Sequence, residues 1–511
     1  MRAPRSLRAL ACACAATIPG CAVGPDFRAP VAPPHAGYSA TALPEVSASS
    51  AGFGGDAQRF VTGAEVPLAW WEAFGSPVLN SLVEQALRAN PSVAAAQAAL
   101  RQAQELVEAQ RGYFFPSVAA EYAFERQQLA GNVATSAAPG VQGNGQNLAP
   151  PGPAQPLIFN YHTAAVTVGY TPDVFGGNRR RVESLQAQAQ AQRFELEATY
   201  LTLAANVVAA AIQEGATRAE IAAVRQIVDD DEKSLELMLA RYRQGYAGRI
   251  DVAGEEAELA QARSLLPPLE KQLEQTRDLL RALVGKLPSE ELEQSVELGS
   301  LKLPQELPLS IPARIIEQRP DVRAAAEQLH AANAQLGVAI AAMLPQFSIT
   351  GAAGGGANEF AWMFRDGGPF WSLVGSVSQP LFAGGTLLHE KRAANQGLLQ
   401  AAAQYQQTVL TAYQNVADTL HAILADAREL AATHAAERAA RVTLDLTREQ
   451  MEDGFADSLA VLAAEIAYQQ AALALIQAEA TRFGDSAALF EALGGGWWNR
   501  TGELAAIRHA D

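Results

Sequence analysis

The chain reads as a mainly α fold interleaved with two β-strand pairs and written twice as an internal tandem repeat. Three observations predict this. Proline- and glycine-bounded markers recur in order in both halves, long proline-free stretches carry coiled-coil spacing, and short segments of period two lie between them.

The first marker is NPSVAAAQAALRQAQELVEAQRGYFFPSV at 90–118, matched by RPDVRAAAEQLHAANAQLGVAIAAMLPQF at 319–347, with Pro91 and Pro116 falling on Pro320 and Pro345 at one constant offset. The second sets YTPDVFGGN at 170–178 against SQPLFAGGT at 378–386, so that Gly176-Gly177 meets Gly384-Gly385. The third sets RYRQGYAGRIDV, from Arg241, against QMEDGFADSLAV, from Gln450, so that Gly245 meets Gly454 and Tyr246 meets Phe455. Alanine-rich helices resemble one another by composition, but prolines and glycines lie outside that bias.

In chain order, Arg2, Arg5 and Arg8 precede a short apolar run and Gly20-Cys21, the layout of an export signal with its cleavage site. Ile18-Pro19-Gly20-Cys21 approximates a bacterial lipoprotein processing box, with Pro19 as its departure, and makes Cys21 the expected acylated N-terminus, carrying palmitate-like chains. Cys12 and Cys14 lie within the signal, so a processed chain keeps no cysteine pair for a disulfide. Residues 22 to about 60 are rich in Pro, Ala, Gly and Ser and read as an extended tether, with regular structure starting near Trp70-Trp71.

Leu79, Leu82, Val83, Ala86 and Leu87, then Val93, Ala96 and Leu100, have helical spacing interrupted at Asn90-Pro91. Val118, Ala120, Tyr122 and Phe124 alternate with polar or small residues, as do Ala164, Val166, Val168 and Tyr170, which predicts two strands with one apolar and one polar face. Residues 177–243 contain no proline, and as one helix would approach roughly 100 Å. Leu259, Leu266, Leu273 and Leu280 repeat every seven residues, and Pro267-Pro268 is expected to kink or restart that helix. In the second half Trp371, Leu373 and Val377 alternate with serines, with a weaker strand partner near 347–351, and Leu459, Ile466, Leu473 and Ala480 give the same seven-residue period.

The expected division is a signal peptide at 1–20, a lipid-anchored extension at 21–75, a first repeat at 76–285, a connector at 286–318, a second repeat at 319–493 and a tail at 494–511. The strand pairs fall at about 117–175 and 346–382.

With net charge −16 and no basic block beyond Arg179-Arg180-Arg181, which reads as a solvated helix start, the chain is not expected to bind nucleic acid. No run of about twenty apolar residues suggests a membrane-spanning helix. His35, His162, His330, His389, His421, His434 and His509 are scattered without metal spacing, and the Gly-rich stretches at 140–145 and 351–356 lack the Lys-Ser/Thr of a phosphate loop and read as flexible loops. No enzyme activity, cofactor or metal is expected.

Strands of this length and alternation are what an outer-membrane barrel uses to face lipid outside and water inside. Four strands cannot close a barrel, so copies must associate: two would supply eight strands and three would supply twelve, and strand arithmetic leaves both open.

The residues CAVGPDF after the signal, WWEAFGSPVLNSLVEQAL, YTPDVFGG, IPARIIEQRPDVRAAAE and QPLFAGG together resemble the TolC family of outer-membrane efflux proteins, and more narrowly its lipid-anchored NodT-like members serving resistance-nodulation-division pumps. The resemblance spans Cys21 to about Leu493. It implies a mainly α fold with a membrane β-barrel: a homotrimer whose twelve-stranded barrel in outer-membrane lipid continues into a long α-helical coiled-coil barrel in the periplasm, with an equatorial connector. It also implies a passive duct for drugs or other small toxic compounds, partnered by an inner-membrane pump and a periplasmic adaptor protein.

The resemblance further implies that the turns at Gly245, Tyr246 and Asp251 and at Gly454 are periplasmic tips contacting the adaptor, and that Asp457 and Phe455, with Asp453 and Leu459, line a gate. Ala460 and Ala463 stand where some members carry aspartates. For Asp457 a helix N-cap is an equal reading. The duct of a type I protein secretion system is the alternative function; a coiled-coil envelope scaffold lipoprotein explains Cys21 and the heptads but not the strand pairs.

Overall fold

A computed structural model describes residues 22–30, 37–39, 43–129 and 157–500. Cys21, the signal, the residues 140–145 and His509 lie outside them. The chain forms two compact units, one of residues 1–28, 104–187 and 330–400, the other of residues 29–103, 188–329 and 401–511.

The first unit is built on an antiparallel sheet of β2 (Ser117–Leu129), β3 (Leu157–Tyr170), β5 (Gln346–Ala357) and β6 (Pro369–Ser378), in that spatial order. Its register is regular: Val118 pairs with Val168, Val168 with Gly351, and Gly351 with Leu373. Because side chains alternate across a strand, this register gathers Val118, Tyr122, Val166, Val168, Trp371 and Leu373 on one face, where all six are exposed. The opposite face carries Ser117, Glu121, Thr163, Thr167, Ser372 and Ser376 by the same alternation, with Phe370 and Val374 among them.

β5 is longer than its sequence suggests, and the glycines at 354–356 lie in it and not in a loop. A Cβ on Gly354 would stand 2.2 Å from the Ala164 carbonyl oxygen, and one on Gly356 would stand 2.4 Å from the Tyr161 hydroxyl. Close approach of neighbouring strands, rather than flexibility, selects glycine here. The N-terminal segment is docked rather than extended: Arg180, 5% exposed, pairs with Asp26 and Glu183 and donates to the Val23 carbonyl. The arginine run therefore opens its helix with a buried anchor, since a guanidinium this enclosed requires partners. Phe27 stacks on His330 at 4.3 Å.

The second unit is helical. Its helices are α1 (Pro77–Ala89), most of α2 (Pro91–Arg111), the larger parts of α3 (Gly177–Arg243) and α7 (Thr386–Glu452), and α4 (Arg249–Leu283), the short α5 (Ile315–Gln318) and α8 (Ser458–Ala492); α6 (Pro320–Ala341) starts here. α3 and α7 each run 67 residues and α4 and α8 each run 35. Ser76 caps α1, its hydroxyl accepting from the Leu79 N–H, and Leu79, Leu82, Val83 and Ala86 bury one helical stripe. Each fully buried leucine contributes about 1.5–3 kcal/mol. Trp70 stacks on Phe490 at 5.5 Å within this core. Regular structure starts earlier than Trp70, with β1 (Arg59–Thr62) paired in parallel with β4 (Glu306–Leu309). Gln58 donates to the Pro304 carbonyl and the Ser486 hydroxyl, fixing that strand to the core.

Three helix expectations are corrected. α4 runs through Pro267 and Pro268 as one helix, so of the expected kink or restart it is the restart that is overturned. Two missing N–H donors remove two ladder bonds, and partners on either side hold the rest: Leu259 and Leu280 are buried. In α8 the buried stripe is Val461, Ala464, Glu465 and Gln469, whereas Leu459 and Ile466 of the seven-residue period are exposed at 68% and 41%. Finally, α3 and α8 are long and apolar enough by length and composition to cross a membrane. Their alanines raise hydropathy, but α8 also buries Glu465 and Arg482, which engage neighbouring chain segments and would be costly in lipid.

Candidate functional site

The turns between the long helices bring the sequence-selected residues together in two hairpins. At the end of α3, Gly245 has φ 80° and Tyr246 N–H donates to the Arg241 carbonyl at 2.9 Å, while Gly245 N–H donates to Tyr242. At the end of α7, Gly454 has φ 78°, Phe455 N–H donates to Gln450 at 2.8 Å and Gly454 N–H to Met451. Both are paired six-to-one and five-to-two closures that use a left-handed glycine to satisfy orphan carbonyls and turn the chain.

The helices that follow are capped by different means. In α4 the N3 carboxylate of Asp251 reaches back to Gly248 N–H at 2.7 Å. In α8 the Asp457 side chain accepts from Ala460 N–H at 2.9 Å, which makes it the helix N-cap. The two turns also touch: Ser458 Oγ donates to Asp251 Oδ1 at 2.8 Å. These two donors, the Gly248 amide first, hold the Asp251 carboxyl below the usual aspartate range.

Large apolar groups crown both turns without burial. Tyr246 is 81% exposed, Phe455 84% and Leu459 68%, and Asp453 and Asp457 are exposed beside them. A groove of about 850 Å³ runs along the second turn, lined by Thr447, Gly454, Phe455, Asp457, Ala460 and Ala463. The arrangement offers an acidic and aromatic surface with backbone fixed by capping.

Sequence reading missed Ser458 and a set of interior carboxylates, Asp231, Glu255, Glu258 and Glu465. A signal existed for one of them: Glu255 sits on the stripe Val252, Glu255, Leu259 and Ala262, all buried. A polar residue on an apolar stripe marks an interior polar contact.

Comparison with known proteins decides the family. The outer membrane efflux protein family matches residues 82–286 and 311–495. This chain belongs to the outer membrane efflux protein family. Its relatives include the pyoverdine export outer membrane protein OpmQ of Pseudomonas aeruginosa, 29% identical over 432 residues that cover 84% of this chain and 87% of that protein. The antibiotic efflux pump outer membrane protein ArpC of Pseudomonas putida is 27% identical over 497 residues, covering 95% and 94%. Among solved structures, the outer-membrane channel OprN superposes with TM-score 0.80 at 25% identity, covering 93% of this chain and all of that one. The Campylobacter jejuni outer membrane channel CmeC superposes with TM-score 0.81 at 19% identity and shares the fold. This efflux-family chain is thus an outer-membrane channel component of a tripartite efflux system, in a family of channels rather than enzymes.

Proposed function

We propose that three copies of this chain close a twelve-stranded barrel in the outer membrane, and that the long helices of each contribute to a periplasmic tunnel. The observation that carries this reading is the sheet of the first unit. It has four strands, an exposed apolar face, a polar face, and open edges at β2 and β6. Such a sheet cannot rest in lipid alone, because unpaired edge groups find no water there. Closure with other copies satisfies both edges and turns the apolar face to lipid.

An internal duplication accounts for matching pairs of helices of 67 and 35 residues following each strand pair. The exposed row of Leu459 and Ile466 suits a neighbouring copy. The duct is passive, coupled through a periplasmic adaptor to an inner-membrane resistance-nodulation-division pump, and it carries drugs or other small toxic compounds, a reading supported by relatives named for antibiotic efflux and pyoverdine export. The tip surface around Gly245, Tyr246, Asp251 and Gly454 is the adaptor contact. Threefold symmetry would turn Asp457, Asp453, Phe455 and Leu459 into rings, the carboxylates favouring cations and the apolar groups excluding water until the tip opens. Cys21 would carry the lipid anchor, so Cys21→Ala should abolish acyl labelling.

The deciding experiment is single-channel conductance of purified protein in a planar bilayer, with its mass in detergent measured in parallel. A trimer giving discrete cation-preferring steps is expected; a monomer that does not insert would refute the duct.

A further inference from the structure

Four carboxylates face one another inside the helical unit. Asp231 of α3, Glu255 and Glu258 of α4 and Glu465 of α8 are 3%, 8%, 5% and 4% exposed. From α7, Arg448 donates to Glu465 Oε1 at 2.6 and 3.1 Å. Lys233 is engaged with Asp230 at the surface. Four ionised carboxylates against one guanidinium would leave a net charge of −3 in the interior, which is severely unfavourable without a further partner.

The geometry indicates that partner. Asp231, Glu258 and Glu465 each turn one oxygen into a common space where the three atoms lie within 4.8 Å of one another. Among the described residues, both oxygens of Glu258 and Oδ2 of Asp231 meet no N–H donor although the residues are more than nine-tenths buried, and the Glu258 carboxyl faces that of Glu465. Oxygens bound at about 2.3–2.6 Å to one Ca²⁺ lie within about 5 Å of each other, whereas Mg²⁺ demands a tighter octahedron and Zn²⁺ favours nitrogen and sulfur. A cavity of about 320 Å³, lined by Glu255, Glu465, Lys233, Arg241 and Arg448, adjoins the cluster on its Glu465 side.

We propose that Asp231, Glu258 and Glu465 bind a hard divalent cation of the Ca²⁺ class, with Glu255 as a flanking carboxylate. The ion joins α3, α4 and α8 directly and α7 through Arg448, so it fastens one helical hairpin to the other within a single chain.

The test uses the full chain in detergent, stripped with EDTA and titrated calorimetrically with CaCl₂ and with MgCl₂. One saturable Ca²⁺ per protomer is expected, at least tenfold tighter than Mg²⁺. Glu258→Gln and Asp231→Asn should each weaken Ca²⁺ at least tenfold while circular dichroism is unchanged. Absence of saturable Ca²⁺ binding by the wild type, or undiminished binding by folded Glu258→Gln, overturns the proposal. Should the variants fail to fold, crystals soaked in Tb³⁺ decide: an anomalous peak among the three carboxylates supports the site and its absence overturns it. None of these readouts depends on conduction or on trimer formation.

Discussion

Ser458 donates its hydroxyl to the Asp251 carboxylate at 2.8 Å, joining the first turn of α8 to the first turn of α4 across 207 positions of sequence. Asp251 also receives the Gly248 amide, so one carboxylate serves as a cap for its own helix and as a clasp between the hairpins. Ser458→Ala removes only the clasp, at a cost of about 1 kcal/mol, while Asp251→Ala removes both bonds and costs more. Hydrogen exchange separates them. The Gly248 amide should exchange faster in Asp251→Ala and remain protected in Ser458→Ala; equal protection in both variants would refute the shared role.

Asp457 can be a cap, a pore charge or both, and asparagine distinguishes these. Asn is as good an N-cap as Asp, so Asp457→Asn should keep the bond to Ala460 N–H and the stability of α8. Asp457→Ala should lose about 1 kcal/mol. If the carboxylates form a ring, both variants lose cation preference in planar bilayers, with Asp457→Ala, especially combined with Phe455→Ala, adding leak current. Unchanged selectivity in Asp457→Asn would leave Asp457 a cap alone.

Backbone conformation predicts a graded response at three glycines. Gly245 and Gly454 have φ 80° and 78°, and a Cβ there meets nothing within 4 Å, so alanine pays only the left-handed strain of about 1–2 kcal/mol. Gly285, at φ 78°, would in addition press its Cβ to 2.7 Å from the Ala89 carbonyl oxygen. Denaturation midpoints should therefore fall further for Gly285→Ala than for either tip variant.

Burial pushes Glu479 of α8 up to about 7. A raised carboxyl favours the folded state while protonated, and that advantage is lost as pH rises from the ordinary glutamate range through about 7. Glu479→Gln, which cannot ionise, should match the wild type in melting temperature near pH 4–5 and exceed it at pH 8. A constant difference across this range would show that Glu479 keeps an ordinary pKa.

The helices and strands were legible because their signals are local. Period-two alternation marked Val118 to Phe124, and freedom from proline marked α3, whose bounds came out as read. What stayed hidden depends on distant residues meeting. Asp231, Glu258 and Glu465 lie on three helices with no motif spacing, and Arg180 looked solvated because its partner Asp26 comes from a segment that read as a tether. Gly354 and Gly356 read as a loop because glycine signals both freedom and close packing, and only the neighbouring Ala164 and Tyr161 tell which. Leu459 and Ile466 kept a seven-residue period, yet the stripe buried within one chain is shifted from it. A period can serve an inner partner or an outer one, and the sequence carries both at once.

The two faces of β6 give the sharpest test of the membrane reading. Leu373 and Ser372 are adjacent, both exposed in the single chain, and directed to opposite faces. Leu373 shares its face with Gly351, Val168 and Val118 across the sheet, the row expected to meet lipid. An arginine facing the bilayer midplane costs about 2–4 kcal/mol, and one facing an aqueous lumen costs little. Three copies would triple the penalty. Leu373→Arg should therefore remove the protein from the outer-membrane fraction and abolish its trimer, while Ser372→Arg should assemble normally and shift ion selectivity toward anions. The reverse pattern would mean that the apolar face points inward, and equal tolerance of both would place this sheet outside the membrane altogether.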